Sequence, residues 1–220
     1  MWKAARRIHE AKRIDLANAT SCLPYATHQP TIASLAIHRH TNRHAHSTTT
    51  AQNLVSSAND GPKAQLQLAN APVNALTLQL CRSLTIKIGE LERDPLVRGL
   101  LIGSAVPNIF SAGLDLQTFY QPDHDTLAEY WTAVQAMWLA LYTTPLATVA
   151  AISGHSPAGG CMLALSCDAR VMVQGPYRMG LNETKLGIVA PPWFGRLLAS
   201  RVGERLSERM LMRGDLVLPD

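Results

Sequence analysis

A chain of 220 residues is long enough for one domain with a sizeable core. Its 47% hydrophobic and 16% charged residues fit a globular protein, and no apolar run approaches the length of a membrane span. The net charge of +4 is unevenly spread: residues 1–50 carry seven basic side chains against Glu10 and Asp15, a balance of +5, which leaves −1 for the rest. A body of that charge lacks a nucleic-acid footprint.

Residues 1–50 are rich in Ala, Arg, His, Thr and Ser and poor in acids. Met1–Leu16 reads as a basic amphipathic helix, with Trp2, Ile8 and Leu16 near one face. This is the signature of a mitochondrial transit peptide, and the lack of a long apolar stretch argues against secretion. His38, His40, His44 and His46 lie in a Thr-rich tract, where solvated histidines are the better reading than metal ligands. Residues 51–61 are polar and read as a linker, so that the folded body begins near Pro62. Cys22, Cys81, Cys161 and Cys167 form no C-x-x-C pair; reduced cysteines are favoured over disulfides or metal.

Ala64–Leu68 alternates polar and apolar residues, which predicts a half-buried strand. After the turn residues Asn70–Asn74, apolar positions at Leu76, Leu80, Leu84, Ile88 and Leu91 predict a helix over 76–92, stopped by Asp94-Pro95. Val97–Gly103 is a continuous apolar run, expected of a strand buried on both faces of a parallel sheet. Strand, helix, strand at this spacing is a βαβ pattern, whose ligand sites lie beyond the carboxyl ends of the strands. The segment to inspect is therefore 108–116. Gly113 frees the backbone there, and Ser111 and Asp115 can hold a turn, leaving the Leu114 N–H to face a cleft.

Leu127–Leu141 reads as a further helix, with Tyr130, Trp131, Val134, Met137, Trp138 and Leu141 at helical spacing; the aromatics fit the core better than a binding box, with lining of an acyl pocket as the alternative for some. Ala147–Ser153 is a second buried strand. Gly159-Gly160 then opens an apolar helix whose first N–H groups are unpaired and whose dipole is positive at that end, a place where a developing anion is stabilised. Asp168–Val173 is another strand, and an extended 177–182 delivers Glu183. Leu181, Leu186, Ile188 and Val189 flank this carboxylate; an apolar setting raises its pKa and suits it to act as a general base. Phe194–Met212 reads as two short helices parted at Gly203, with a basic face.

Three runs carry a resemblance: FSAGLDL at 110–116, SGHSPAGGC at 153–161 and GLNETKLG at 180–187. In this order and spacing they resemble the enoyl-CoA hydratase/isomerase (crotonase) superfamily, and within it the mitochondrial Δ3,Δ2-enoyl-CoA isomerase branch. The resemblance implies an α/β fold, the ββα spiral of the ClpP/crotonase type. It also implies that the usual C-terminal helices are lacking before Asp220, so that 62–220 is a C-terminally incomplete acyl-CoA-binding domain. It assigns oxyanion donors to the N–H groups of Leu114 and Gly159, lining of the coenzyme A and thioester site to Ala112, Gly113, Leu114, Asp115 and Leu116, and proton transfer to Glu183. Hydratases of this family carry a second Glu where this chain has Met162. A single carboxylate favours moving a proton from C2 to C4 of a 3-enoyl-CoA, giving the trans-2-enoyl-CoA in β-oxidation of unsaturated fatty acids. The resemblance further implies no metal or redox cofactor, a homotrimer when the C-terminal part is present, and the mitochondrial matrix as location. The competing expectations are enoyl-CoA hydratase, an acyl-CoA thioester hydrolase, and a non-catalytic truncated member of the family.

Overall fold

The computed structural model describes residues 54–219. The basic leader, its amphipathic helix and its histidine tract lie outside them, as do residues 51–53 of the expected linker. Strand β1 (Val55–Asp60) and β2 (Lys63–Leu68) form an antiparallel hairpin that turns at Gly61, where φ is +56°. Most of the stretch that reads as a linker is therefore an edge strand. Its polarity misleads because only Val55 of its six residues is buried. The backbone ladder to β2 holds it, and no apolar alternation is required. In β2, Ala64, Leu66 and Leu68 are buried as the alternation requires.

Strands β3 (Ala75–Leu76), β4 (Gly99–Ser104), β5 (Asn108–Ile109), β6 (Gly113–Leu114), β7 (Ala147–Ile152), β8 (Gly154–Pro157), β9 (Ala169–Met172) and β10 (Met179–Gly180) complete three sheets. The largest has the order β1-β2-β4-β7-β9 and is parallel from β2 onward. A smaller parallel sheet runs β10-β8-β5, and β3 pairs with β6. The chain thus climbs as a spiral. Each of β4, β7 and β9 is followed at once by a strand of the small sheet: β5, β8 and β10. The central strand β4 buries Leu100, Ile102 and Gly103 and leaves Leu101 half-buried, close to the two-faced burial its sequence predicts.

Helix α1 (Leu78–Arg93) begins two residues after Leu76, because Leu76 belongs to β3. The Thr77 side chain caps it by accepting the Leu80 N–H, and its buried stripe is Leu80, Cys81, Leu84, Ile88 and Leu91. Helix α2 (His124–Thr143) is capped by Asp123 and packs along α1. All eight residues of α3 (Gly159–Ser166) are buried, so a helix with no polar face enters the core between the sheets and the last two helices, α4 (Pro192–Val202) and α5 (Glu204–Arg213). Asp168 links β7 to the end of α3: its Oδ2 accepts both the N–H and the hydroxyl of Thr148 (2.8 Å each), and its own N–H donates to the Thr148 hydroxyl oxygen at 2.9 Å. None of the described helices is long and apolar enough to cross a membrane.

Candidate active site

Two backbone segments meet where the spiral brings the end of β6 against the start of α3. Gly113, with φ +92°, lies so close to α3 that a Cβ on it would come within 2.7 Å of the Gly159 nitrogen. A Cβ on Gly159 would stand 3.1 Å from the Leu114 nitrogen. The two amides singled out in the sequence are therefore neighbours across a space that only glycines leave open. Next to them, a Cβ on Gly160 would sit 2.2 Å from the Ser111 carbonyl oxygen, so the helix can approach this loop only without a side chain there.

Each donor is held differently. The ladder of α3 starts with the Met162 N–H donating to Ala158 O at 3.0 Å, so the Gly159, Gly160 and Cys161 amides precede it. Ala158 turns the chain into this helix with φ 50° and ψ −123°, outside the wells open to residues with a side chain. Strain of this kind costs about 1–3 kcal/mol and persists only where the surroundings over-determine it. Here the Ala158 N–H is anchored on Gly180 O at 2.8 Å. Around Leu114, side chains do the holding. The Gly113 N–H donates to Ser111 Oγ at 3.1 Å, and the Ser111 hydroxyl donates to Asn74 O at 2.7 Å. The Asn74 amide group donates to Ser104 Oγ and Phe110 O, and its oxygen accepts the Asn70 N–H. Asn74 and Ser111 are both fully buried.

Of the other predicted lining residues, Ala112 is half-buried and spends its N–H on Val73 O at 2.9 Å. Asp115 caps the short turn Leu116–Phe119 through the Gln117 N–H and the Thr118 hydroxyl. Leu116 is exposed. The helical spacing of Tyr130 favours the core. The residue is buried, yet its hydroxyl donates to Leu76 O at 2.8 Å and accepts the Asp115 N–H at 3.0 Å. No local pattern signals those bonds, because Leu76 lies 54 residues away.

Glu183 opens a 3-10 turn, Glu183–Leu186, three residues after Gly180. It is 5% exposed, and its Oε2 has no hydrogen-bond partner among the described residues. Burial raises its pKa above the ordinary carboxylate range. The sequence anticipates that direction, but the cause differs in part. Leu181 is buried, whereas Leu186, Ile188 and Val189 are exposed. Coverage comes instead from α5 packing on the turn, tied by the Thr184 hydroxyl to Leu211 O at 3.0 Å. Cys161, on the first turn of α3, feels the charge of Glu183; burial first, and that charge second, push its thiol pKa up to about 12. Met162 is fully buried in the apolar interior.

A cleft of about 700 Å³ opens beside Glu183, with Leu181, Val189, Pro191, Arg196 and Leu211 on its walls. Glu204 and Glu208 also border it but are exposed, unlike Glu183. The amides of Leu114 and Gly159 are not part of this wall. They join Glu183 through the Ala158–Gly180 bond and the pairing of β8 with β10. The assembly offers backbone N–H groups to an oxygen that gains negative charge, and a buried carboxylate to move a proton. Among the described residues, no three His, Cys, Asp or Glu side chains cluster as a metal site would.

The chain belongs to the enoyl-CoA hydratase/isomerase family, which matches residues 62–220. The chain is 48% identical to mouse mitochondrial enoyl-CoA delta isomerase 1 over 163 residues, covering 73% of this chain and 56% of that protein. With the human protein of the same name it shares 45% over 157 residues, 71% of this chain and 52% of that one. The crystal structure of human mitochondrial delta3-delta2-enoyl-CoA isomerase superposes with a TM-score of 0.74 at 43% identity, over 76% of this chain and 66% of that chain. The chain thus spans a little over half the length of the curated relatives it matches.

Proposed function

We propose that this chain isomerises a 3-enoyl-CoA to the trans-2-enoyl-CoA. The thioester oxygen sits between the Leu114 and Gly159 N–H groups, with Ala112–Leu116 along the thioester and coenzyme A. Glu183 removes a proton from C2, the negative charge moves onto the thioester oxygen as a dienolate, and the protonated Glu183 returns the proton at C4. The observation that carries this reading is the buried, unpartnered Oε2 of Glu183 beside a cleft, joined through Ala158 to a pair of glycine-spaced amides. The names of the relatives support the same substrate class and a mitochondrial location. Residues 1–50 are then an import leader to the matrix, and the working assembly is a homotrimer. No metal or redox cofactor enters the scheme, since the proton removed at C2 is the one returned at C4.

The test is a turnover assay of the full chain with a trans-3-enoyl-CoA, run beside Glu183→Gln. Loss of a general base lowers the rate by about 10²–10⁴-fold. Turnover unchanged in the variant sinks the mechanism. A 3-hydroxyacyl-CoA product from a 2-enoyl-CoA would instead make the chain a hydratase, with Glu204 or Glu208 as the second carboxylate to examine.

A further inference from the structure

We infer that Tyr130 is a positioning residue for the Leu114 N–H, its hydroxyl extending by one bridge the two-residue pairing of β3 with β6. This inference rests on the donor role proposed for Leu114. The pairing is very short: Ala75 faces Gly113 and Leu76 faces Leu114. So short a ladder does little to define the direction of its last amide. At that end the Tyr130 hydroxyl donates to Leu76 O (2.8 Å) and accepts from the Asp115 N–H (3.0 Å). Leu76 is the register partner of Leu114, and Asp115 is its successor. A phenol has one proton to give and lone pairs to receive with, and here both roles are filled. The hydroxyl therefore acts as a missing rung between the two strands.

The consequence for Leu114 is geometric. The Gly113 N–H is committed to Ser111 Oγ and the Asp115 N–H to the Tyr130 hydroxyl, so the amides before and after Leu114 are each fixed by a buried oxygen. Successive N–H groups of an extended chain point to opposite sides. Holding the Asp115 N–H toward Leu76 turns the Leu114 N–H the other way, toward Gly159. The ring cannot swing: it is 1% exposed, with Phe119 edge-on at 5.5 Å and Trp131 at 6.3 Å. Burial also raises the phenol pKa, so the proton given to Leu76 O stays in place. The hydroxyl reaches neither the cleft nor Glu183, so its effect on chemistry passes through Leu114.

The experiment compares Tyr130→Phe with the full wild-type chain by steady-state kinetics and by the carbonyl stretching band of a bound trans-2-enoyl-CoA. In the wild type the band lies below that of the free thioester, because the donors polarise the carbonyl. Tyr130→Phe is expected to lower kcat roughly 10-fold or more, less than the about 10²–10³-fold for removing one such donor outright. KM changes little, and the band moves back toward the free value. Thr148→Val, which also removes a buried hydroxyl but far from the donors, leaves the band in place. A Tyr130→Phe protein with wild-type kcat and band position overturns the inference. Should that variant not fold, amide hydrogen exchange of the full wild-type chain decides. The Asp115 N–H is expected to be protected by the Tyr130 hydroxyl, and exchange as fast as an exposed amide overturns the inference equally. A wild-type band that does not differ from the free thioester defeats the donor assignment itself, and this inference with it.

Discussion

Around Leu114 and Gly159 the backbone is set by close approaches that forbid side chains and by hydroxyls buried beneath it. Glu183 is carried by a single 3-10 turn whose following residues, Thr184 to Val189, face solvent. One region has its polar groups matched: Asn74, Ser111 and Tyr130 each have named partners. In the other, Glu183 Oε2 and the neighbouring Asn182 Oδ1 are buried without any among the described residues. The contrast teaches where a site places its unsatisfied groups. These three positioning side chains are completed within the fold, since an unpaired buried polar group costs about 1–3 kcal/mol; Ser156 Oγ, on β8 just ahead of Ala158, is an exception, buried without a partner among the described residues. Glu183, the residue proposed to exchange a proton, lies beside the cleft.

Gly113→Ala should break the rigid region most sharply. The new methyl meets the Gly159 nitrogen at 2.7 Å, and a φ of +92° suits no residue with a side chain. Turnover should fall about 10²–10³-fold, as when one oxyanion donor is lost. Circular dichroism and binding of the product thioester check that the protein is still folded. A rate within a few-fold of wild type would show that the two amides do not act together. Asn74→Ala removes two donor bonds, one buried and one part-buried, and one acceptor bond that brace the same loop. It should cost roughly 2–4 kcal/mol, seen as a lower denaturation midpoint. A smaller loss would mean that the loop is held by packing alone.

The least effect in size, and the one that sharpens the comparison, is the pH dependence of stability at Glu183. Its folded pKa lies above the unfolded value of about 4.3. The folded state therefore binds the proton more tightly, and the stability this group contributes is complete below the unfolded pKa and is lost as pH rises through the folded one. Glu183→Gln carries no such titration. It should raise Tm at neutral pH, with the gain disappearing at acid pH, as differential scanning at several pH values would show. An equal Tm difference at every pH would mean that the burial of Glu183 is not felt as a charge penalty.

Much of the scaffold was legible from periodicity. The alternation in β2 and the stripe of α1 form as their patterns require, because each must bury one face; the apolar runs of β4 and β7 form strands, with alternate residues of β7 buried and β4 only partly covered on its second face. Leu76 fits the α1 stripe equally well as a strand residue facing the core, so spacing alone placed it in the wrong element. Strand β1 escaped notice because its bonds are backbone bonds and five of its six side chains are exposed. In the site, Gly113, Gly159 and Glu183 stood out by residue type. Tyr130, Asn74 and Ala158 did not, for three different reasons. The hydroxyl of Tyr130 bonds across 54 residues, the amide of Asn74 across 30 and 36, and the strain at Ala158 belongs to a residue type that does not advertise positive φ.

Cys161 adds a consequence for reactivity. Cys161 is 1% exposed on the first turn of α3 and is not on the wall of the cleft, and only a thiolate attacks an acyl group readily. Burial and the charge of Glu183 hold the Cys161 thiol protonated, with its pKa at about 12. Burial in the fully buried helix α3 does most of this and the charge of Glu183 adds to it, so the sulfur at the start of that helix stays a core thiol and not a nucleophile.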